Sequence, residues 1–299
     1  MNPFFRFTPT KEHMSKPLLY SYIPYMEQEF IKRGVSMKLY LDPGHGGNDP
    51  GAQGNGLKEK NFTLDIALRI RSILQNNYEN IDVMMSRTSD VSKSLSQRTN
   101  EANDWEADFY MSIHINAFNG TARGYEDYIH SSLSDQSATA DYRDIIHAEV
   151  IRLNQLIERG KKKADFHVLR ESMMPAFLSE NGFIDNPDDA ALIKLASWRQ
   201  DVARGHAVGI EKAFGLKEKP SVPGTLYKVI AGSFKEKQNA DERTALLQSK
   251  GIESFVATET ISGETWYRSQ AGAFSDRANA EERLQQIEKL GIDAFIDVV

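Results

Sequence analysis

The clearest hydrophobic pattern along the chain begins at Met37. Leu39, Tyr40 and Leu41 form an apolar run that Asp42-Pro43-Gly44 cuts off, which predicts a strand over Lys38–Leu41 and a tight bend after it. Phe62, Ile66, Ile70 and Ile73 then recur at helical spacing and predict a helix over Thr63–Asn76. Ile81–Met85 reads as a second strand and Leu95–Trp105 as a second helix. Over Ala107–Asn116 the period shortens to two, sorting Ser112, His114 and Asn116 to one side and Ile113 and Ile115 to the other. Gly124–Ile129 reads as a strand. Ala140–Ile157 reads as a helix whose basic run Arg159–Lys163 is a solvated helix end. Phe166–Leu169 and Met174–Ser179 are strand-like, the second delivering Glu180 into the turn signal Asn181-Gly182, and Pro187 to Phe214 is a last helical region. This alternation predicts an α/β domain over residues 37–215, with a twisted mixed sheet flanked by helices.

What lies on either side is patterned differently. Residues 1–36 are aromatic-rich, carry four prolines and show no sustained period beyond a short amphipathic stretch at Tyr25–Ile31. They read as an extension outside the folded unit, with a docking arm as the alternative. Residues 216–224 are charged, carry prolines at 220 and 223, and read as a linker. Beyond them Tyr227-Lys-Val-Ile-Ala-Gly-Ser-Phe234 returns as Tyr267-Arg-Ser-Gln-Ala-Gly-Ala-Phe274, an offset of 40 that also aligns Gly251-Ile252 with Gly291-Ile292 and Phe255 with Phe295. Each copy reads strand, helix, strand. Two copies predict one small ferredoxin-like α+β domain over residues 225–299.

Composition narrows the chemistry. A hydrophobic content of 40% is that of an ordinary globular chain, and a net charge of −6 argues against a general polyanion binder. With no cysteine, a metal has to be held by His, Asp or Glu. No run approaches the length of a membrane span and no secretory signal is visible.

His45 stands between glycines at the end of the first strand. Glu59 stands at the entrance of the following helix, His114 near the end of the central strand, and Glu180 at the end of a later one. Each has a plain reading: a solvated turn histidine, a carboxylate favoured at a helix N-terminus, a satisfied core histidine. Yet strand ends in open α/β sheets gather at one edge, where ligands bind. Two imidazoles and one carboxylate are a standard catalytic zinc set, and a further carboxylate can move the proton of a water.

Leu41-Asp-Pro-Gly-His-Gly-Gly47, Lys58-Glu-Lys-Asn61, Ser86-Arg-Thr-Ser-Asp90, Ser112-Ile-His-Ile-Asn116 and Leu178-Ser-Glu-Asn-Gly-Phe183 resemble, in order, the motifs of zinc-dependent N-acetylmuramoyl-L-alanine amidases. The resemblance is to the sporulation mother-cell autolysins of that family. It implies that His45, Glu59 and His114 bind Zn2+ and that Glu180 is the catalytic carboxylate. It also implies cleavage of the amide between the lactyl group of muramic acid and L-alanine in peptidoglycan. Asn116, on the His114 face, is a candidate for orienting substrate.

The C-terminal repeat resembles the SPOR domain, which implies binding to peptidoglycan glycan stripped of stem peptides. The glutamine usual in that family's first strand is Ile230 here, while Gln270 holds the equivalent place in the second copy and is the candidate glycan contact. Nine Lys and Arg against twelve Asp and Glu in Thr225–Val299 speak against RNA on the same topology.

A non-catalytic wall-binding protein that keeps the amidase fold as scaffold is the alternative. A glycosidase using Glu59 and Glu180 leaves both histidines unexplained. The expected picture is a monomer without nucleic-acid or membrane partners, made in the cytoplasm and reaching the wall after mother-cell or phage-type lysis.

Overall fold

The period-two strand around His114 becomes the spine of a six-stranded sheet. The computed structural model describes residues 36–220, 224–261 and 263–299, so the extension at residues 1–35 and its stretch Tyr25–Ile31 lie outside the described residues. The sheet is built from β1 (Met37–Pro43), β4 (Ile81–Met85), β5 (Phe109–Asn116), β6 (Tyr125–His130), β7 (Glu158–Ala164) and β8 (Ala176–Phe183). Their order is β4-β1-β5-β8-β6-β7, and every neighbour is parallel except β6 against β8. The mixed sheet expected from sequence is therefore the one observed. A small hairpin, β2 (Gln53–Gly54) with β3 (Leu57–Lys58), closes the glycine loop after β1.

Side-chain parity divides the sheet into two faces. Leu39, Leu41, Phe109, Met111, Ile113 and Phe177 point into the larger core. Against them pack α1 (Glu59–Asn77), α3 (Ala138–Asn154) and α6 (Ala196–Phe214), through residues such as Ile66, Ile70, Ile146, Trp198 and Ile210. Glycines at 205 and 209 of α6 let the two helix backbones touch, since a Cβ at either would stand 2.8 Å from Cα of Val150 or 2.7 Å from Cα of Ile146. On the opposite face Tyr40, Tyr110, Ala176 and Leu178 are buried in a smaller core, under the shorter α2 (Leu95–Asp104) and the single turn α4 (His167–Arg170). The thinner cover leaves an opening at the carboxyl end of the parallel strands.

Three segments differ from their sequence reading. Arg159–Lys163 is part of the edge strand β7, not a helix end: α3 stops at Asn154. Its lysines are stabilised as strand residues because carboxylates wait beside them, Lys161 pairing with Asp144, Lys162 with Glu126 and Lys163 with Asp135. A lysine-rich edge also discourages pairing with another chain. Phe166–Leu169 is the start of α4, whose Val168 and Leu169 bury in the smaller core. The last helical region breaks at the extended Leu195 into α5 (Pro187–Lys194) and α6, and Arg199 Nη1 donates to the freed carbonyls of Ile193 and Lys194 at 2.8 and 2.9 Å.

The C-terminal unit is a four-stranded antiparallel sheet in the order β10-β11-β9-β12, formed by β9 (Tyr227–Phe234), β10 (Phe255–Ile261), β11 (Glu264–Phe274) and β12 (Phe295–Val298). Helices α7 (Lys237–Ser249) and α8 (Arg277–Glu288) cover one face over Val229, Ala231, Leu247, Ala271 and Ile287. The strand, helix, strand repeat is thus realised twice. At the start of the segment read as a linker, Lys217 accepts from Glu79 N at 2.7 Å and Lys219 N donates to Asn77 at 2.8 Å. Helix α8 meets α6, where Arg204 donates to Gln285 at 3.0 Å and Lys289 stands 3.4 Å from Asp201.

Candidate active site

The bend after β1 positions His45 in a left-handed conformation, with φ of 61°. Its Nδ1 lies 2.8 Å from Asp49 Oδ2, and its Nε2 lies 3.1 Å from Glu59 Oε2. Glu59 is the first residue of α1, and the glycine loop satisfies the opening amides of that helix: Glu59 N donates to Ala52 and Lys60 N to Pro50. The Glu59 carboxylate is itself buried. It accepts from Ala52 N at 2.7 Å and Ile115 N at 2.9 Å, and lies 2.9 Å from His114 Nδ1. The two imidazoles meet edge-on with centroids 5.0 Å apart. His45, Glu59 and His114 each present one donor atom, and these lie within 4.8 Å of one another.

The space among them is kept open by glycine. A Cβ on Gly44 would come within 2.3 Å of the His114 ring, and one on Gly51 within 2.5 Å of Glu59 Oε2. Two imidazole nitrogens and a carboxylate oxygen around such a gap are the donor set of a divalent zinc-type centre, so the residues present fit a metal. Burial opposes a charged ring at His45, yet the hydrogen bonds and charges of Glu59 and Asp49 carry its pKa up to about 9. Burial pushes the Glu59 carboxyl up, but the hydrogen bonds and charges of His114 and His45 outweigh it and hold Glu59 far below the usual carboxylate range.

Glu180 sits on β8 directly beside His114 in the sheet register. Its Oε2 is buried without a hydrogen-bond partner. Burial, then the negative charges of Glu59 and Glu126, push its pKa well above the usual carboxylate range. The four residues singled out from sequence therefore converge on one face. A cleft of about 490 Å³ opens over His45, His114 and Glu180, walled by Lys93, Ser94 and Leu95 on one side and Phe166, His167 and Val168 on the other.

Asn116 is close by but engaged, donating to Glu126 Oε1 at 3.0 Å and accepting from Ala117 N. Gln270 belongs to the other unit and is buried in its sheet, its amide donating back to Gly272 at 3.3 Å. Sequence reasoning did not single out Asp49, Arg98, Glu126 or His167. Asp49 has a signal, lying four residues after His45 in the same loop. Glu126 is visible only through the antiparallel pairing that sets it opposite Glu180. Arg98 and His167 reach the cleft from elements distant in sequence. The His167 Nε2 is buried without a partner.

The profile of a family described as N-acetylmuramoyl-L-alanine amidase matches residues 39–212. The chain belongs to that family. The profile of the SPOR domain matches residues 223–297 of the amidase. A sporulation-specific N-acetylmuramoyl-L-alanine amidase of Bacillus subtilis is 52% identical over 220 residues, covering 74% of this chain and 84% of its own. The N-acetylmuramoyl-L-alanine amidase CwlM of Bacillus licheniformis is 49% identical over the same length and shares. Among solved structures, the catalytic domain of the amidase CwlV from Bacillus (Paenibacillus) polymyxa matches with a TM-score of 0.57 at 32% identity, covering 60% of this chain and 99% of that one. The amidase is thus a peptidoglycan hydrolase joined to a wall-targeting domain, and the comparisons give no support to a non-catalytic scaffold. No helix among its described residues is long and apolar enough to cross a membrane.

Proposed function

We propose that the amidase is zinc-dependent and cleaves the amide between the lactyl group of N-acetylmuramic acid and the L-alanine of the stem peptide. His45, Glu59 and His114 hold the metal and Glu180 is the proton carrier. The observation that carries this reading is the convergence of three donor atoms with a buried, unpartnered carboxylate beside them. A zinc ion held there supplies Lewis acidity, polarising a carbonyl and lowering the pKa of water toward ~7. Glu180, raised in pKa by burial and by its acidic neighbours, is suited to accept a proton from the attacking water and return it to the leaving nitrogen. The cleft walls orient the peptide and limit water around the scissile bond.

A glycosidase reading fails on Glu59. Its carboxylate is held by both imidazoles, and an acid/base role for Glu59 would leave His45 and His114 without a task.

For the SPOR domain we place denuded glycan on the sheet face away from the helices. Phe255 pairs with Gln270, Gln270 with Ile230, and Ile230 with Phe295, so these four form one row across all four strands. The flanking phenylalanines are 53% and 43% exposed, an aromatic pair on either side of a shielded centre. The sporulation-specific relative supports a role in cell-wall hydrolysis during sporulation.

Digestion of purified peptidoglycan, with mass spectrometry of the new ends, tests the reaction. New L-alanine amino termini, lost on chelation and restored by zinc, are expected. New reducing sugars, or activity indifferent to chelator, would overturn it.

A further inference from the structure

The loop that carries His45 is gripped from below by two buried arginines. Arg98 Nη2 donates to the carbonyl of His45 at 2.6 Å, while its Nη1 donates to Pro43 O at 2.9 Å, Ser86 Oγ at 3.2 Å and Asp42 Oδ1 at 2.5 Å. Arg87 Nε donates to Pro43 O at 3.0 Å, and its Nη2 to Gly44 O and Lys60 O, both at 2.8 Å. Three successive carbonyls, of residues 43, 44 and 45, thus all end on guanidinium donors. Both arginines are only 3% exposed.

We infer that Arg87 and Arg98 are positioning residues that set the metal affinity of the site by clamping the main chain on which His45 stands. The inference rests on the metal reading above. His45 is a non-glycine residue in the left-handed region, an unfavourable conformation that persists where its surroundings over-determine it. The clamp is what over-determines it here. It fixes the peptide planes on both sides of Gly44, and with them the direction in which the imidazole leaves the loop.

The chemistry of the donor matters. A guanidinium presents a rigid planar fork that spans two carbonyls at once, whereas an ammonium offers a point charge on a flexible stem. Arg98 also carries its own counter-charge. Asp42 accepts from it, and the other Asp42 oxygen accepts from Tyr110 Oη at 2.8 Å and Ser112 Oγ at 2.9 Å. Asp42 is thereby committed to the clamp and not to the metal, although it lines the cleft. Arg87 comes from the Ser86-Arg-Thr-Ser-Asp90 motif, to which this assigns a task.

The test is zinc affinity of the metal-free full chain, measured by competition with a chromophoric chelator alongside its thermal unfolding. Arg98→Lys and Arg87→Lys are each expected to weaken zinc binding by about 10- to 100-fold, the usual effect of losing a group that orients a ligand. At saturating zinc their KM for muropeptide should stay near that of the wild type. Arg98→Ala should regain zinc affinity with added guanidinium and not with methylammonium, a readout that general destabilisation does not produce. Two folded Lys variants that bind zinc within twofold of wild type would overturn the inference, as would equal rescue by both cations. Failure of the wild type itself to bind zinc, visible in the same titration, would instead overturn the metal reading on which the clamp depends.

Discussion

On the amidase sheet, His114 and Glu180 line a cleft whose loop carbonyls are held by buried arginines, while Glu180 Oε2 and His167 Nε2 are buried without partners. On the SPOR sheet, Phe255 and Phe295 stand open to solvent, and the groups between them are drawn in. Gln270 turns its amide back to Gly272. Arg268 is tied to Glu259 and Asp297 at 2.6 and 2.5 Å. The difference follows from the two tasks. Charge that develops during a reaction is stabilised by dipoles already fixed in place. On the glycan-binding reading proposed above, a surface that holds a polysaccharide strand is served by exposed aromatic area.

The largest expected effect lies on the reactive side of this comparison. Glu180→Gln should lower kcat by about 100- to 10,000-fold with zinc still bound, because the amide keeps the shape and cannot accept the proton. Metal loss in that variant, with Glu59→Gln behaving as wild type, would show the two glutamates to have exchanged roles. Asp49→Ala should come next. Its carboxylate fixes which nitrogen of His45 carries the proton and so leaves Nε2 toward the site; without it, zinc affinity should fall by about tenfold or more. An unchanged affinity by chelator competition would mean that the main-chain clamp alone orients the ring.

How much of this was legible in the chain follows from how local each signal is. The period-two strand at Ser112–Asn116 declared which side His114 faces, and parity carried that through to the structure. The repeat declared the second sheet. Arg159–Lys163 misled because a charge run after a helix reads as its solvated end, while the carboxylates that make it a strand come from residues 126, 135 and 144. Phe166–Leu169 misled because four residues carry too little pattern to separate a strand from one helical turn. Arg98 was illegible for a different reason. Its partners in the loop, Asp42, Pro43 and His45, lie more than fifty residues earlier, and only the packing of α2 beside β1 brings them together.

On the binding side the effects should be smaller. In a Glu180→Gln background, Phe255→Ala or Phe295→Ala should weaken retention on amidase-treated sacculi by about tenfold, the ~1.4 kcal/mol scale of one interface anchor. Turnover of soluble muropeptides by the otherwise wild-type chain should not change. Equal retention of all variants in a sedimentation assay would move the glycan off this row.

The smallest effect concerns the seam between the two regions. Asp201 on α6 and Glu288 on α8 both lie at the contact, with Lys289, Arg204, Arg69 and Asp293 as their charged neighbours. Burial pushes both carboxyls above their usual range, Asp201 despite Lys289 and Glu288 despite Arg69. A carboxyl raised on docking favours the docked state below its ordinary pKa of about 4, and that contribution is lost as pH rises through the raised value. The two domains should therefore hold together more firmly near pH 4 than at pH 7.5. Small-angle scattering at the two pH values should show a modestly smaller radius of gyration at the lower one. Asp201→Asn with Glu288→Gln should flatten that dependence, leaving the chain near its acid-side dimensions throughout. Expansion on acidification, or a pH response unaltered in the double variant, would show that these carboxyls do not govern the seam.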